Sequence, residues 1–165
     1  MSSKPKAAAP EAAPSEPEKA PTDGVLYVDA TGAIAGRLSS KVAHEVIRGK
    51  RIVVLNAEKA VLTGDRNSVI AQWKQRLELG SKVNPIYGPI HPRRPDNILR
   101  RMVRGMVPKE KTKGVEGLKR LRVYMGVPSK YSGVTMSRFD EAMATRPLPT
   151  YTTLQDLSRN IGWNG

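Results

Sequence analysis

Residues 26–55 read LYVDATGAIAGRLSSKVAHEVIRGKRIVVL, and the order of patterns within them decides the fold. Leu26-Tyr27-Val28 is a short β-rich run that closes on Asp29-Ala30-Thr31-Gly32, a turn-favouring stretch. From residue 37 to 48 the apolar positions recur with a helical period: Leu38, Val42, Ala43, Val46 and Ile47 cover one half of the cylinder, and Arg37, Lys41, His44 and Arg48 gather on the other. Gly49 is the natural stop. Arg51 then leads into Ile52-Val53-Val54-Leu55, continuously apolar as a buried parallel strand must be. Strand, glycine turn, helix and strand in succession predict a βα-layered fold.

The flanking sequence extends the pattern. Ala60-Val61-Leu62 is a third short strand, and Thr63-Gly64-Asp65 supplies cap chemistry for a helix over 66–79 that buries Val69, Ile70, Trp73 and Leu77 and stops at Gly80. Four prolines and one glycine between Ser81 and Pro95 make a long loop, and such loops inside a domain are usually functional. The helix predicted over 96–107 has two clean sides, with Leu99, Met102, Val103 and Met106 on one, Arg100, Arg101 and Arg104 on the other, and Pro108 ending it. A basic helix over 113–121, a closing strand Arg122-Val123-Tyr124-Met125 and a C-terminal amphipathic helix on Leu154, Leu157 and Ile161 complete the elements. Residues 1–22, with five Pro and six Ala and no aromatic or branched aliphatic residue, read as a disordered extension. That leaves one domain over 23–165, a size able to bury a core without covalent staples.

The 165 residues carry a formal charge of +13, and the charge is not spread evenly. Thirteen Lys and Arg against three Asp and Glu fall in residues 82–130, whereas the first 22 residues and the last 35 are neutral. A localised excess points to a binding surface for a polyanion. There is no Cys, which excludes disulfides, thiolate metal sites and thiol nucleophiles. The longest aliphatic run, residues 52–55, is far short of a membrane span, and no apolar segment follows the N-terminus, so a soluble intracellular protein is expected.

Enzymatic readings find little to rest on. The turn Gly32-Ala33-Ile34-Ala35-Gly36-Arg37 offers the rival reading, a small Rossmann-like nucleotide-binding enzyme, because a glycine loop opening a helix can present amides to a phosphate. Its spacing is G-x-x-x-G, however, and no G-K-[ST] follows, so the glycines read as turn geometry. No G-x-S-x-G is present, His44 and His91 sit among basic and proline residues, and Asp140-Glu141 is the one pair of adjacent carboxylates. No catalytic residue, metal site or cofactor is expected.

A nucleic-acid reading has several supports. Arg100, Arg101 and Arg104 project together opposite an apolar side, and guanidinium forks suit phosphate. Lys109, Lys111, Lys113, Lys119 and Arg120 follow closely, and Arg93 and Arg94 lie between Pro92 and Pro95 in a loop kept extended. Arg37, Lys41, Arg48 and Lys50 form a second candidate face. No helix-turn-helix, zinc-finger or RNP-type sheet motif is visible, and with few aromatic residues base stacking is not expected to dominate. Phosphate and 2′-hydroxyl contacts to a folded RNA fit best.

At this point the motifs carry a resemblance. Asp29-Ala30-Thr31-Gly32 with Gly36-Arg37-Leu38-Ser39-Ser40, then Gly49-Lys50, Asn56-Ala57-Glu58 and Thr63-Gly64, lead to Arg100-Arg101-Met102-Val103-Arg104-Gly105-Met106-Val107-Pro108-Lys109 and to Leu121-Arg122-Val123-Tyr124-Met125-Gly126. In this order they resemble the universal large-subunit ribosomal protein L-thirteen family in its archaeal/eukaryotic form, over about residues 25–163. Bacterial members carry a His-rich ending where this chain has Val127-Pro128-Ser129-Lys130-Tyr131. The resemblance implies a three-layer α/β/α fold with a small, mainly parallel four-stranded sheet, a basic Pro/Arg-rich loop and a C-terminal helical extension. It implies a structural, cytoplasmic role in the large ribosomal subunit: binding 23S-type rRNA early in assembly beside neighbouring ribosomal proteins. It also lays the segment 104–109 and the Pro–Arg loop against RNA.

Overall fold

The strand–helix–strand unit forms as the sequence predicts: β1 (Val25–Asp29), α1 (Ala35–Ile47) and β2 (Arg51–Leu55). The computed structural model describes residues 24–145 and 151–165, so the expected extension over 1–22 lies outside the described residues. β1 and β2 pair in parallel, from Val25 opposite Arg51 to Asp29 opposite Leu55, with α1 as the crossover. α1 buries Leu38, Ser39, Val42, Ala43 and Val46, and it ends because Gly49 takes φ +102°, a conformation costly to any residue with a Cβ.

The remaining elements are β3 (Val61–Thr63), α2 (Arg66–Glu78), α3 (Pro95–Met106), α4 (Thr112–Arg120), β4 (Leu121–Val123), β5 (Tyr151–Thr153) and α5 (Leu154–Asn160). Together they make a mixed α/β fold with five α-helices and a small, mainly parallel sheet. β4 joins the free edge of β2 in parallel, Ile52 opposite Leu121 and Val54 opposite Val123. The main sheet therefore has three strands, β1-β2-β4, in place of the expected four. The candidate third strand leaves the sheet because Asn56 adopts φ +55° and a 3-10 turn at Ala57–Lys59 redirects the chain immediately after β2. β3 then pairs antiparallel with β5, a strand with no clear sequence signal, Val61 opposite Thr153 and Thr63 opposite Tyr151.

The two faces of the main sheet differ. Val28, Ile52, Val54 and Leu121 belong to the core with Leu38, Val42 and Val46 of α1 and Ile98, Leu99 and Val103 of α3. α3 and α4 both pack against α1, so these helices share that face. On the opposite face the register aligns Val25 with Arg51, and Tyr27 with Val53 and Arg122. These five residues line an open groove, so the described residues place no second helical layer there and the three-layer expectation is not met.

α3 also differs in detail from its sequence reading. Pro95, Ile98, Leu99 and Val103 are buried and Met102 is half-buried, but Met106 is 46% exposed. Val107, just past the helix end and 3% exposed, takes the apolar position assigned to Met106. Trp73 and Leu77 of α2 likewise stop at half-burial beside Val69 and Ile70, which are buried. Asp65 caps α2 as expected, accepting from the amides of Asn67 and Ser68 at 3.1 and 3.2 Å. Leu154, Leu157 and Ile161 are all buried, so the C-terminal helix is part of the core.

Candidate nucleic-acid interface

α3 is fixed by its inner side, and that fixes the outer one. Pro95 at its first turn presets the helical φ, and Ile98, Leu99 and Val103 anchor it against α1 and β4. Arg100, Arg101 and Arg104 therefore emerge from a rigid helix, all exposed. Among the described residues none of the three has a carboxylate within ion-pairing distance. The same holds for Lys109, Lys111, Lys113 and Lys119.

Grooves flank this ridge. Ile90, Pro92 and Asn97 with the three arginines and Leu118 line a depression of about 490 Å³. A second, of about 330 Å³, brings Arg100 and Arg104 together with Lys109, Lys119 and Val115. The three arginines and two of the candidate lysines thus form one continuous surface, contributed by α3, the turn after it and α4. α4 lies close because its buried side is glycine: Gly114 faces the Pro108 carbonyl and Gly117 faces Val46. A Cβ on Gly114 would fall inside the van der Waals shell of that carbonyl oxygen.

The other candidate residues are placed differently. Arg94 forms a bidentate pair with Asp96 at 3.2 and 3.1 Å across the start of α3. The Arg93 guanidinium lies against Gly162, whose φ of +93° and missing side chain leave room for it. Neither side chain simply reaches outward from an extended loop. Arg120 sits at the end of α4 on the opposite face of the sheet, with Lys119 between the two surfaces.

On α1 the expected basic face is mixed with acid. Lys41 is ion-paired with Glu141, and Glu45 binds Lys50 at 2.6 Å and Arg48 at 3.2 Å. Hydrogen bonding from Lys50 holds the Glu45 carboxyl below the usual carboxylate range. Arg37 is exposed, and among the described residues no ion pair engages it.

The glycine turn is occupied by the protein itself. The Gly32 amide donates to the Lys59 carbonyl at 3.2 Å, Ala33 to Ala30 at 3.1 Å, and Ile34 to Ala142 at 2.8 Å. These three amides are therefore committed internally and cannot cradle a phosphate. Beyond the C-terminal ends of β1 and β2, where open α/β sheets bind ligands, Asp29 gathers internal donors. One oxygen accepts from the Thr31 amide and hydroxyl and from Asn56 Nδ2, and the other from Arg138 at 3.1 and 2.7 Å. Burial alone would push this carboxyl up; the bonds from Asn56, Thr31 and Arg138 outweigh it and lower the pKa to about 2. Sequence reading missed this cluster, because Arg138 lies 109 residues from its partner.

Comparison with known proteins gives the chain its relatives. The family model described as ribosomal protein L13 matches residues 23–130. A large ribosomal subunit protein uL13 of Archaeoglobus fulgidus is 43% identical over 145 residues, covering 87% of this chain and 91% of its own. The uL13 of Methanocaldococcus jannaschii is 43% identical over 140 residues, covering 84% and 98%. That of Saccharolobus solfataricus is 37% identical over 142 residues, covering 86% and 95%.

Proposed function

The chain belongs to the ribosomal protein L13 family, and from that premise we infer that it is a structural, non-enzymatic component of the large ribosomal subunit, working on the ribosome in the cytoplasm. We propose that it binds 23S-type rRNA through the α3 ridge and supports early subunit assembly beside neighbouring ribosomal proteins. The observation that carries this is the ridge itself: Arg100, Arg101 and Arg104 are exposed, have no acidic partner among the described residues, and project from a helix held by the core. The helix fixes where the three side chains start. The planar guanidinium fork loses less freedom per hydrogen bond to phosphate than a flexible ammonium does, which suits recognition of a folded RNA by its backbone.

Lys109, Lys111, Lys113 and Lys119 extend the surface along the turn and α4. Arg93 and Arg94 border it at the start of α3, with part of their hydrogen-bonding capacity directed inward. Arg37, Lys41, Arg48 and Lys50, on α1 and the turn after it, form a second and weaker face, three of its four cations already facing carboxylates, and Arg120 lies at the end of α4. The alternative, a nucleotide-binding enzyme at Gly32–Gly36, has no support in the family, and the amides of Gly32, Ala33 and Ile34 are engaged internally.

Equilibrium binding to large-subunit rRNA across a salt series tests the assignment. Each phosphate contact contributes roughly 0.7–0.9 to the slope of log K against log salt. Arg100→Gln with Arg104→Gln should therefore flatten the slope by about 1.4–1.8 while leaving the melting temperature unchanged. An unaltered slope and affinity would overturn the ridge as the RNA surface.

A further inference from the structure

The open face of the main sheet carries a second surface, chemically unlike the ridge. It is a groove of about 490 Å³ floored by Val25, Tyr27 and Val53 from adjacent strands. Arg51, Arg122 and Lys130 stand around it, and Lys119 and Arg120 close one end, with no carboxylate among the lining residues.

Aromatic rings converge on the same place. Tyr131 lies between Tyr27 and Tyr124, its ring centroid 5.6 Å from one and 5.5 Å from the other. Tyr27 and Tyr131 line the groove, and all three are half-buried. Tyr27 and Tyr131 are 104 residues apart, so no local motif announces the cluster. A soluble sheet normally covers a face that holds Val and Tyr at alternate positions; here the described residues leave it concave, aromatic and cationic.

We propose that this face binds a single-stranded segment of RNA, one or two unpaired bases stacking on Tyr131 and Tyr27 while Arg51, Arg122 and Lys130 take the flanking phosphates. The chemistry favours unpaired RNA over the alternatives. A helix backbone needs cations but not aromatic floors, and an apolar protein surface would leave the basic rim unpaired. Stacking is tolerant of sequence, because every base has a π-face. The proposal identifies the RNA through the rRNA reading above, but it concerns a different set of residues and a different physical signature.

That signature separates the two surfaces experimentally. Tyr27→Leu with Tyr131→Leu should lower affinity for large-subunit rRNA about tenfold and leave the salt slope unchanged, because lost stacking releases no counterions. Tyr27→Phe with Tyr131→Phe, which keeps the rings, should bind as the parent does. Arg122→Gln with Lys130→Gln, two exposed positions that leave the core untouched, should flatten the slope by about 1.4–1.8. Ultraviolet crosslinking in isolated large subunits should join Tyr27 or Tyr131 to unpaired nucleotides. Parent-like affinity in the leucine pair together with a parent-like slope in the glutamine pair would overturn the groove and leave the ridge standing. Crosslinks from Lys130 to another protein in place of RNA would overturn it too. Failure of the ridge variants alongside these would bring down the rRNA reading itself.

Discussion

α1 and α3 are both amphipathic helices with arginine and lysine on the outer side, yet their charges have different fates. On α1 the cations lie among carboxylates: Glu141 reaches Lys41, and Glu45 is shared between Arg48 and Lys50. On α3 the nearest sequence carboxylate, Asp96, is held by Arg94 at the first turn, and the three arginines beyond it have no acidic partner among the described residues. A count of basic residues treats these helices alike. What distinguishes them is which charges the fold neutralises itself, and a surface left unneutralised is the one available to an external polyanion.

The sharpest way to break the comparison is from beneath α3. Leu99 is 1% exposed, so Leu99→Asp places an unpaired carboxylate in the core at a cost of more than about 4 kcal/mol, comparable to the stability of a whole domain. Circular dichroism and thermal melting should show an unfolded chain, whereas Arg100→Gln, one residue on, should melt as the parent does. A folded Leu99→Asp protein would mean that α3 is not anchored by this side, and the fixed ridge would lose its basis.

Gly114 tests whether α4 must lie where it does for the basic surface to be continuous. A methyl group there meets the Pro108 carbonyl, which is backbone and cannot rotate away, and Val107 Cγ1 at 3.1 Å. Gly114→Ala should cost about 2–3 kcal/mol, measured by denaturant unfolding, even though alanine is intrinsically the better helix former. At Gly117 the Cβ meets Val46 Cγ1 at 2.8 Å and the Val46 carbonyl oxygen at 3.3 Å, a milder overlap than the one at Pro108, so Gly117→Ala should cost less. Equal effects would show that the fit at Pro108 is not what seats α4.

Asp29 is the extreme case of a charge neutralised internally, only 7% exposed and surrounded by donors. Its pKa falls from 3.8 to about 2 on folding. A depressed carboxyl stabilises the fold above its unfolded pKa, and that contribution disappears as pH falls from near 3.8 toward about 2. The shift corresponds to about 2 kcal/mol, so Asp29→Asn should be less stable by about that amount at neutral pH. Its unfolding midpoint should also vary less than the parent's between about pH 5 and pH 2. A parent-like acid limb in the variant would show that Asp29 is not the group responsible.

The sequence made the local parts of this structure legible. The βαβ unit, the cap at Asp65, the stop at Gly49 and the two sides of α3 depend on neighbours within a turn or two, and the family motifs lie in the same stretches. What escaped depends on residues far apart in the chain. β5 has three residues and no pattern of its own, and it is a strand because β3 lies beside it. Asn56 turns the chain out of the sheet through one left-handed residue, a choice several residue types could make. The charge map found the basic segment, but not that Asp96 holds Arg94 within it or that Glu45 and Glu141 pair the cations of α1. The register that puts Tyr27 beside Arg51 and Arg122 is visible only once three strands are aligned.

The mildest substitutions test the comparison most finely. Lys41→Gln with Arg48→Gln removes two cations that already face carboxylates, and surface pairs of this kind contribute little to stability, about 0–1 kcal/mol each. Their loss should reduce rRNA affinity less than about threefold and change the salt slope by less than about 0.5, against 0.7–0.9 for a cation that truly displaces a counterion. The reverse experiment adds direction. Glu45→Gln frees Arg48 and Lys50, and if α1 borders RNA it should steepen the slope. A drop of 0.7–0.9 per residue in the α1 pair would show that RNA competes successfully with Glu45 and Glu141. The distinction between paired and unpaired faces would then belong to the free protein alone and vanish on the ribosome.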